Sequence, residues 1–232
     1  MANSARNQPG VERETRIQQQ SNALDNLQVV YEKNKKPIST ITTVILVVVV
    51  GYFAYTRLVK APNEEKAASA MSYAQTYFMI DSLNLALNGD GTHQGFSKIA
   101  KKYDGTPAGN LAHYYEGICY LKMGDYSNAV KSLKEFDGKG TMVAYQAWGA
   151  LGEAYKESGD NNKAIESFKK AVEDKNDMMV TPLYLYQLGI AYEDGNKPKD
   201  AIDAFKRIRD EFPRSMQARD IDKELARLGS VN

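Results

Sequence analysis

Gly117, Gly152 and Gly189 recur in matching surroundings, 35 and 37 residues apart, and nothing else in the chain restricts its fold as tightly. Gly152 is flanked by Trp148, Leu151 and Tyr155, then by Ala164, Phe168 and Ala171. Gly189 has Leu185, Leu188 and Tyr192, then Ala201, Phe205, Ile208 and, at the close, Pro213. Gly117 has a weaker copy in Tyr120, Ala129, Leu133 and Phe136. Small and aromatic residues at helical spacing on both sides of a turn describe two packed helices. Gly152 is small so that the second helix can approach at Ala164, with Tyr155 and Phe168 filling the space on either side. The turns fall at Gly124-Asp125, Gly159-Asp160 and Gly195-Asn196, where glycine takes the positive φ that ends a helix. One such hairpin cannot bury its apolar face alone, so neighbours stack around a shared core. The expected fold is all-α, a helical solenoid.

The array extends in both directions. Phe96, Ile99 and Tyr103, followed by Gly105, Thr106 and Pro107, read as the second helix of an earlier, degenerate repeat. Its first helix lies within residues 66–87, where Ala67, Ala70, Met71, Ala74 and Phe78 follow a helical stripe. Leu83, Leu85 and Leu87 alternate with period two and leave that stretch open. At the far end Ile221, Leu225 and Leu228 share one face amid charges, which is what a capping helix requires. The predicted layout is a polar tail over 1–37, a membrane helix over 38–56 and a linker with the first helix of the degenerate repeat over 57–89. Repeats follow over 90–213 and a cap over 214–232.

Residues 38–56 contain no charge, and ten of the nineteen are Ile, Leu, Val or Phe. As a helix they reach about 28 Å, close to the ~30 Å hydrocarbon core of a bilayer. Insertion is favourable by roughly 3–6 kcal/mol, and one central Lys or Arg would erase most of that. Tyr52 and Tyr55 sit where aromatic rings favour the headgroup region. Thirty-seven polar residues precede the run, too many for a signal-peptide n-region, so an uncleaved anchor is expected. Lys33, Lys35, Lys36, Arg6, Arg13 and Arg16 outnumber Arg57, Lys60 and Lys66 on the other side, which keeps the N-terminus in the cytoplasm. The N-terminal 36 residues are polar and read as a frayed tail, with a weak stripe at Leu24, Leu27 and Tyr31.

Residues 1–60 hold eight Lys/Arg and four Asp/Glu, leaving 22 and 25 for the rest, so the repeat region is slightly acidic and carries no nucleic-acid footprint. Two histidines and one cysteine, Cys119, supply neither a zinc set nor an internal disulfide, and Cys119 reads as a small buried hydrophobe. Asn88, Asp90 and Thr92 imitate a calcium loop, but His93 and Ile99 stand where its glycine and bidentate glutamate belong. Gly138, Lys139, Gly140 and Thr141 lack the upstream glycine of a phosphate loop and read as a turn between repeats. No cofactor and no enzymatic activity are expected.

The Gly152 and Gly189 strings resemble tetratricopeptide repeats, over about residues 90–228. The layout of tail, span and repeats is similar to the ancillary subunit of the Sec translocon. The strings YFMIDSLNLALNGDG and GTPAGNLAHYYEGICYL are similar to Bacteroidota envelope tetratricopeptide proteins. Outer-membrane assembly lipoproteins also carry such repeats, but no cysteine follows this apolar segment to be lipidated. The resemblance implies a non-enzymatic, inner-membrane scaffold whose repeats face the periplasm, near protein export or envelope chaperones. The alternatives are a regulatory subunit of an envelope enzyme complex, or a cytosol-facing organelle receptor if the orientation is reversed. The carboxylate clamp of cytosolic co-chaperones is missing, because Tyr114, Ile118, Leu183 and Gln187 stand at its positions.

In such arrays the first helix of each repeat lines a concave groove. The groove-facing positions here are Leu111, Tyr114, Ile118 and Leu121; Gln146, Gly149, Glu153 and Lys156; and Leu183, Tyr186, Ile190 and Glu193. The partner-binding candidates are the apolar and tyrosine members of the first and third sets: Leu111, Tyr114, Ile118, Leu121, Leu183, Tyr186 and Ile190. Tyrosine offers apolar contact and a hydrogen bond with little entropy to lose, so a protein or peptide segment anchored on Tyr114 and Tyr186 is expected.

Overall fold

The structure, a computed structural model, describes residues 9–141, 143–173 and 177–230, with side chains from residue 31 onward. Among these residues the regular structure is helical, apart from one isolated antiparallel bridge between Gly89 and Gln94. The chain divides into two compact units, Met1–Val59 and Lys60–Asn232.

The first unit is built on α1, Pro9–Tyr55. Residues 9–37, expected as a frayed tail, are helical. The run is rich in Glu, Gln, Arg and Leu, which lose little freedom in a helix, and Pro9 suits its first turn. Arg6 lies outside the described residues, as do the side chains of Arg13, Arg16, Leu24 and Leu27. No residue from 38 to 55 is buried, and Val48 keeps 64% of its surface exposed. This helical run holds the one stretch among the described residues that is long and apolar enough to cross a membrane. The hydroxyls of Thr40, Thr42 and Thr43 donate to the carbonyls of Lys36, Ile38 and Ser39 at 3.0, 2.8 and 2.9 Å. A five-residue π-helical turn, Thr56–Lys60, follows.

The second unit begins with α2 (Ala61–Met79), α3 (Leu83–Asn88) and α4 (Phe96–Lys102). Three hairpins follow: α5 (Pro107–Lys122) with α6 (Tyr126–Glu135), α7 (Ala144–Glu157) with α8 (Asn161–Ala171), and α9 (Val180–Asp194) with α10 (Pro198–Glu211). A 3₁₀ turn, Gln217–Arg219, leads into α11, Ile221–Arg227. Each hairpin packs on itself and on the next, α6 against α7 and α8 against α9.

Local chemistry sets the helix ends. The carboxylates of Asp125 and Asp160 accept the N–H groups of Asn128 and Lys163, and the Thr106 hydroxyl accepts that of Gly109. Such caps contribute about 1 kcal/mol each. Glu64 of α2 reaches across to accept the Ala108 N–H at 2.9 Å, which places a carboxylate at the positive end of α5. Gly124 and Gly159 hold φ of 79° and 85° in their turns. In the third hairpin the expected register is off by one: Gly195 has φ −86°, and Asn196 takes the left-handed conformation at 54°. Asparagine tolerates that region better than most residues, so it replaces glycine there.

The three repeated glycines are notches for one side chain each. A Cβ on Gly117 would stand 2.5 Å from Leu133, one on Gly152 2.6 Å from Phe168, and one on Gly189 2.2 Å from Phe205. It is therefore the Phe168 ring, and not Ala164, that requires glycine at 152. Phe168 and Phe205 are fully buried, and each contributes roughly 1.5–3 kcal/mol through area removed from water.

Before the hairpins, α2 buries Ala67, Met71 and Ala74, with Ala70 and Phe78 packed at the edge. The open stretch at 83–87 is helical and buries Ala86 and Leu87. Phe96 and Ile99 of α4 are also buried, and Phe96 stacks on Tyr115 with centroids 5.0 Å apart. At the other end α11 buries Ile221 and Leu225, with Leu228 packed beside them.

Candidate functional site

The first helices of the hairpins, α5, α7 and α9, carry the predicted groove positions in register. Tyr114, Gly149 and Tyr186 align, as do Ile118, Glu153 and Ile190. All seven predicted residues lie on these helices. Leu183 is exposed, and the other six are half-buried. Leu111 packs against the core of α2–α5, Ile118 and Leu121 against Leu133 and Leu151, and Ile190 against the core of α8–α11. The Tyr114 ring sits 5.3 Å from that of Tyr115 and 5.6 Å from Phe136, and Tyr186 lies 5.7 Å from Phe205. Six of the seven thus pack against the core or a neighbouring ring with one side while keeping some accessible surface, and Leu183 is exposed.

Gly149 leaves a gap in the tyrosine row, and the next repeat fills it. A Cβ there would fall 1.9 Å from Cζ of Tyr184, so the Tyr184 ring lies directly on the Gly149 backbone. The Tyr184 hydroxyl donates to the Gln146 carbonyl at 3.4 Å. Sequence reasoning missed Tyr184, because Ala112 and Ala147 occupy its register in the other repeats. The signal was Gly149 itself, a mid-helix glycine costing about 1 kcal/mol against alanine without an evident reason.

Glu153 sits within the electrostatic reach of both Tyr114 and Tyr184. Burial pushes its carboxyl above the usual range; Glu157 adds to the push and Lys156 opposes it. Burial, then Tyr115 and Glu153, pushes the Tyr114 phenol up to about 12. Burial raises Tyr184 as well, followed by Glu153 and Tyr114. The Gln146 side-chain oxygen is buried with no hydrogen-bond partner among the described residues. A partly desolvated carboxylate in the field of two phenols, two turns along α7 from an unpaired acceptor, suits a ligand that donates hydrogen bonds, such as peptide N–H groups. Glu193, at the rim, is already engaged by Arg227 at 2.7 Å.

The other sequence motifs are structural. The Asp90 carboxylate accepts the N–H groups of Thr92 and His93 at 2.8 and 2.6 Å and the Tyr77 hydroxyl at 2.7 Å, and meets His93 Nδ1 at 2.8 Å. These contacts, those of His93 foremost, hold it well below the usual carboxylate range. The Thr141 N–H and hydroxyl both bond the Gly138 carbonyl, which makes 138–141 a closed turn. Cys119 is fully buried, and burial pushes its thiol up to about 12. Among the described residues no three His, Cys, Asp or Glu side chains are grouped to hold a metal ion.

Models of the tetratricopeptide repeat match residues 111–137, 145–173 and 184–215, which are the three hairpins. Among solved structures, the crystal structure of the MamA protein is similar, at 23% identity and a TM-score of 0.49, over 75% of this chain and 82% of that one. No curated protein matches. The chain carries tetratricopeptide repeats, and its fold is an all-helical repeat array preceded by an apolar helix. Repeats of this kind form protein–protein interaction scaffolds.

Proposed function

We propose that the protein is a non-enzymatic scaffold, held in the cytoplasmic membrane by residues 38–56, whose repeats receive a peptide segment of a partner protein. The observation that carries this reading is the apolar helical run, uncharged and uncovered, joined in one chain to an array of interaction repeats. A bilayer supplies the cover that the chain does not, and hydroxyls bonded one turn back along the helix suit a solvent without hydrogen-bonding capacity. The lysines at 33, 35 and 36 favour a cytoplasmic N-terminus, which puts the repeats in the periplasm, within reach of the export machinery or envelope chaperones. The binding surface is the row Tyr114, Glu153 and Tyr186, backed at Gly149 by the buried Tyr184 and flanked by Leu111, Ile118, Leu121, Leu183 and Ile190. Its ligand is an extended or helical segment that gives N–H groups to Glu153 and apolar side chains to the rings.

Fusions after residue 60 test the topology. Alkaline phosphatase should be active there and green fluorescent protein dark. The reverse pattern would put the repeats in the cytoplasm, and loss of membrane association on deleting nothing but residues 57–60 would remove 38–56 as the anchor.

A further inference from the structure

Opposite the groove, the second helices of successive hairpins leave clefts between them, and one cleft differs from its neighbours. Between α6 and α8, over α7, lies a cavity of about 270 Å³ with Phe136, Trp148 and Leu151 in its lining. That is smaller than the ~300–1,000 Å³ of ordinary small-molecule pockets and suits one or two side chains. Lys134 from α6 and Lys163 and Lys170 from α8 surround it, against a single carboxylate, Glu166. Lys170 Nζ stands 3.9 Å over the Trp148 ring and Lys163 Nζ 5.4 Å over Tyr155. Aromatic faces thus hold two cations at the cavity. Lys163 also pairs with Asp160, but Lys134 and Lys170 have no ion-pair partner among the described residues.

The register shows how particular this is. Where α7 has Trp148, α5 has His113 and α9 has Leu185; where α8 has Lys170, α6 has Glu135 and α10 has Arg207, so the middle repeat alone pairs a tryptophan with a cation. The cleft on one side sets Asp104, Glu116 and Glu135 against Lys101 and Lys131, and the cleft on the other sets Glu173, Asp200 and Asp203 against Lys169 and Arg207. In a repeat region with more acidic than basic residues, this aromatic cavity carries three lysines against one carboxylate, while each neighbouring cleft carries three carboxylates against two cations. Lys163 and Lys170 are two helical turns apart, about 10.5 Å, which an extended chain covers in about three residues.

We propose that this cleft is a second binding site, independent of the concave groove, for an acidic peptide segment of a partner protein. One large apolar side chain enters against Trp148, and carboxylates about three residues apart meet the lysines. The neighbouring clefts, with carboxylates in excess of cations, favour the same peptide less.

Trp148 is the one tryptophan in the chain and reports on its own cavity. The test titrates its emission in the full chain, held in nanodiscs, with a blocked peptide centred on Asp-Leu-Phe-Asp. A saturable change is expected. It should weaken with added salt and at least about tenfold in a Lys134→Glu, Lys170→Glu variant, whose exposed positions leave folding intact by circular dichroism. It should be unchanged in Tyr186→Ala, whose ring packs against Phe205 and does not line this cavity. No saturable change, equal affinity in the charge-reversed variant, or equal binding of a peptide with lysines for aspartates would overturn the proposal. An emission change that follows protein concentration alone would also overturn it, in favour of a second copy of the chain.

Discussion

Replacing Gly149 with alanine probes the contact that shapes the middle of the groove. The new Cβ would lie 1.9, 2.2 and 2.3 Å from three atoms of the Tyr184 ring. Ordinary carbon contacts are about 3.5–4.0 Å, so the ring must retreat by roughly 1.5–2 Å. It is only 7% exposed, stacks near Phe168 at 6.3 Å and is tethered through its hydroxyl to Gln146, so the retreat disturbs the α7–α9 interface. Overpacking of this kind costs about 1–3 kcal/mol, and the better helix propensity of alanine returns up to about 1 kcal/mol. The expected net loss is about 1–2 kcal/mol, or very roughly 2–8 °C in Tm. In a Tyr184→Ala background the obstacle is gone, and the same Gly149→Ala change should stabilise by up to about 1 kcal/mol. The sign reversal, a coupling of about 1–3 kcal/mol, is the diagnostic. Urea unfolding of the full chain in micelles, followed by the adjacent Trp148, measures all four corners of the cycle. A Gly149→Ala effect of the same sign and size in both backgrounds would refute the contact.

Glu153 has a raised folded-state pKa, so its favourable contribution is complete below the ordinary glutamate range and is lost as pH rises through the folded value. Glu153→Gln should therefore melt higher than the wild type at pH 8, with the gap closing as pH falls to about 4; a constant gap would show that burial does not strain this carboxylate. Glu116 occupies the register of the buried Leu151 and Leu188. Burial pushes its carboxyl up, but the polar groups of His113, Ser97 and Ser132 more than reverse this and hold it below the usual range, although His113 Nδ1 stands 3.7 Å away and neither it nor Ser97 Oγ completes a hydrogen bond among the described residues. Glu116→Leu should be neutral or stabilising by about 1 kcal/mol at pH 7 and should remove the stability lost on acidification through that lowered pKa; a loss above about 2 kcal/mol would mean the polar set holds α5 in place. Cys119, buried with its thiol pushed up to about 12, should react with maleimide at pH 7.5 only as fast as the protein unfolds, so prompt labelling of the native chain would contradict its burial.

The hairpins were legible because each repeated residue has one physical job. Gly117, Gly152 and Gly189 admit a single side chain apiece, and the periodicity of Ala164, Phe168 and Ala171 follows directly from helix packing. Less legible were positions where two residues share a job across repeats. Tyr184 breaks the alanine register of Ala112 and Ala147, and its role appears only once α9 is laid against α7. The slip at Gly195 and Asn196 has a similar origin, since either residue can take positive φ and the choice depends on where α9 ends. The helix at 83–87 was hidden because three leucines alternate while only Leu87 of them is buried, next to Ala86, which carries no pattern of its own. The lysine-ringed cleft was unreadable for another reason: Lys134 and Lys170 look like ordinary solvated residues until α6 and α8 bring them to one cavity.

The most direct test of the scaffold reading is photo-crosslinking from Leu183, which is 37% exposed on the proposed groove, in the full chain within its native membrane. The account predicts a discrete protein adduct from this position that disappears when Tyr186→Ala is added, with the folded state unchanged by circular dichroism. No adduct from Leu183, or an adduct undiminished by loss of the Tyr186 ring, would contradict the claim that partners dock in the concave row.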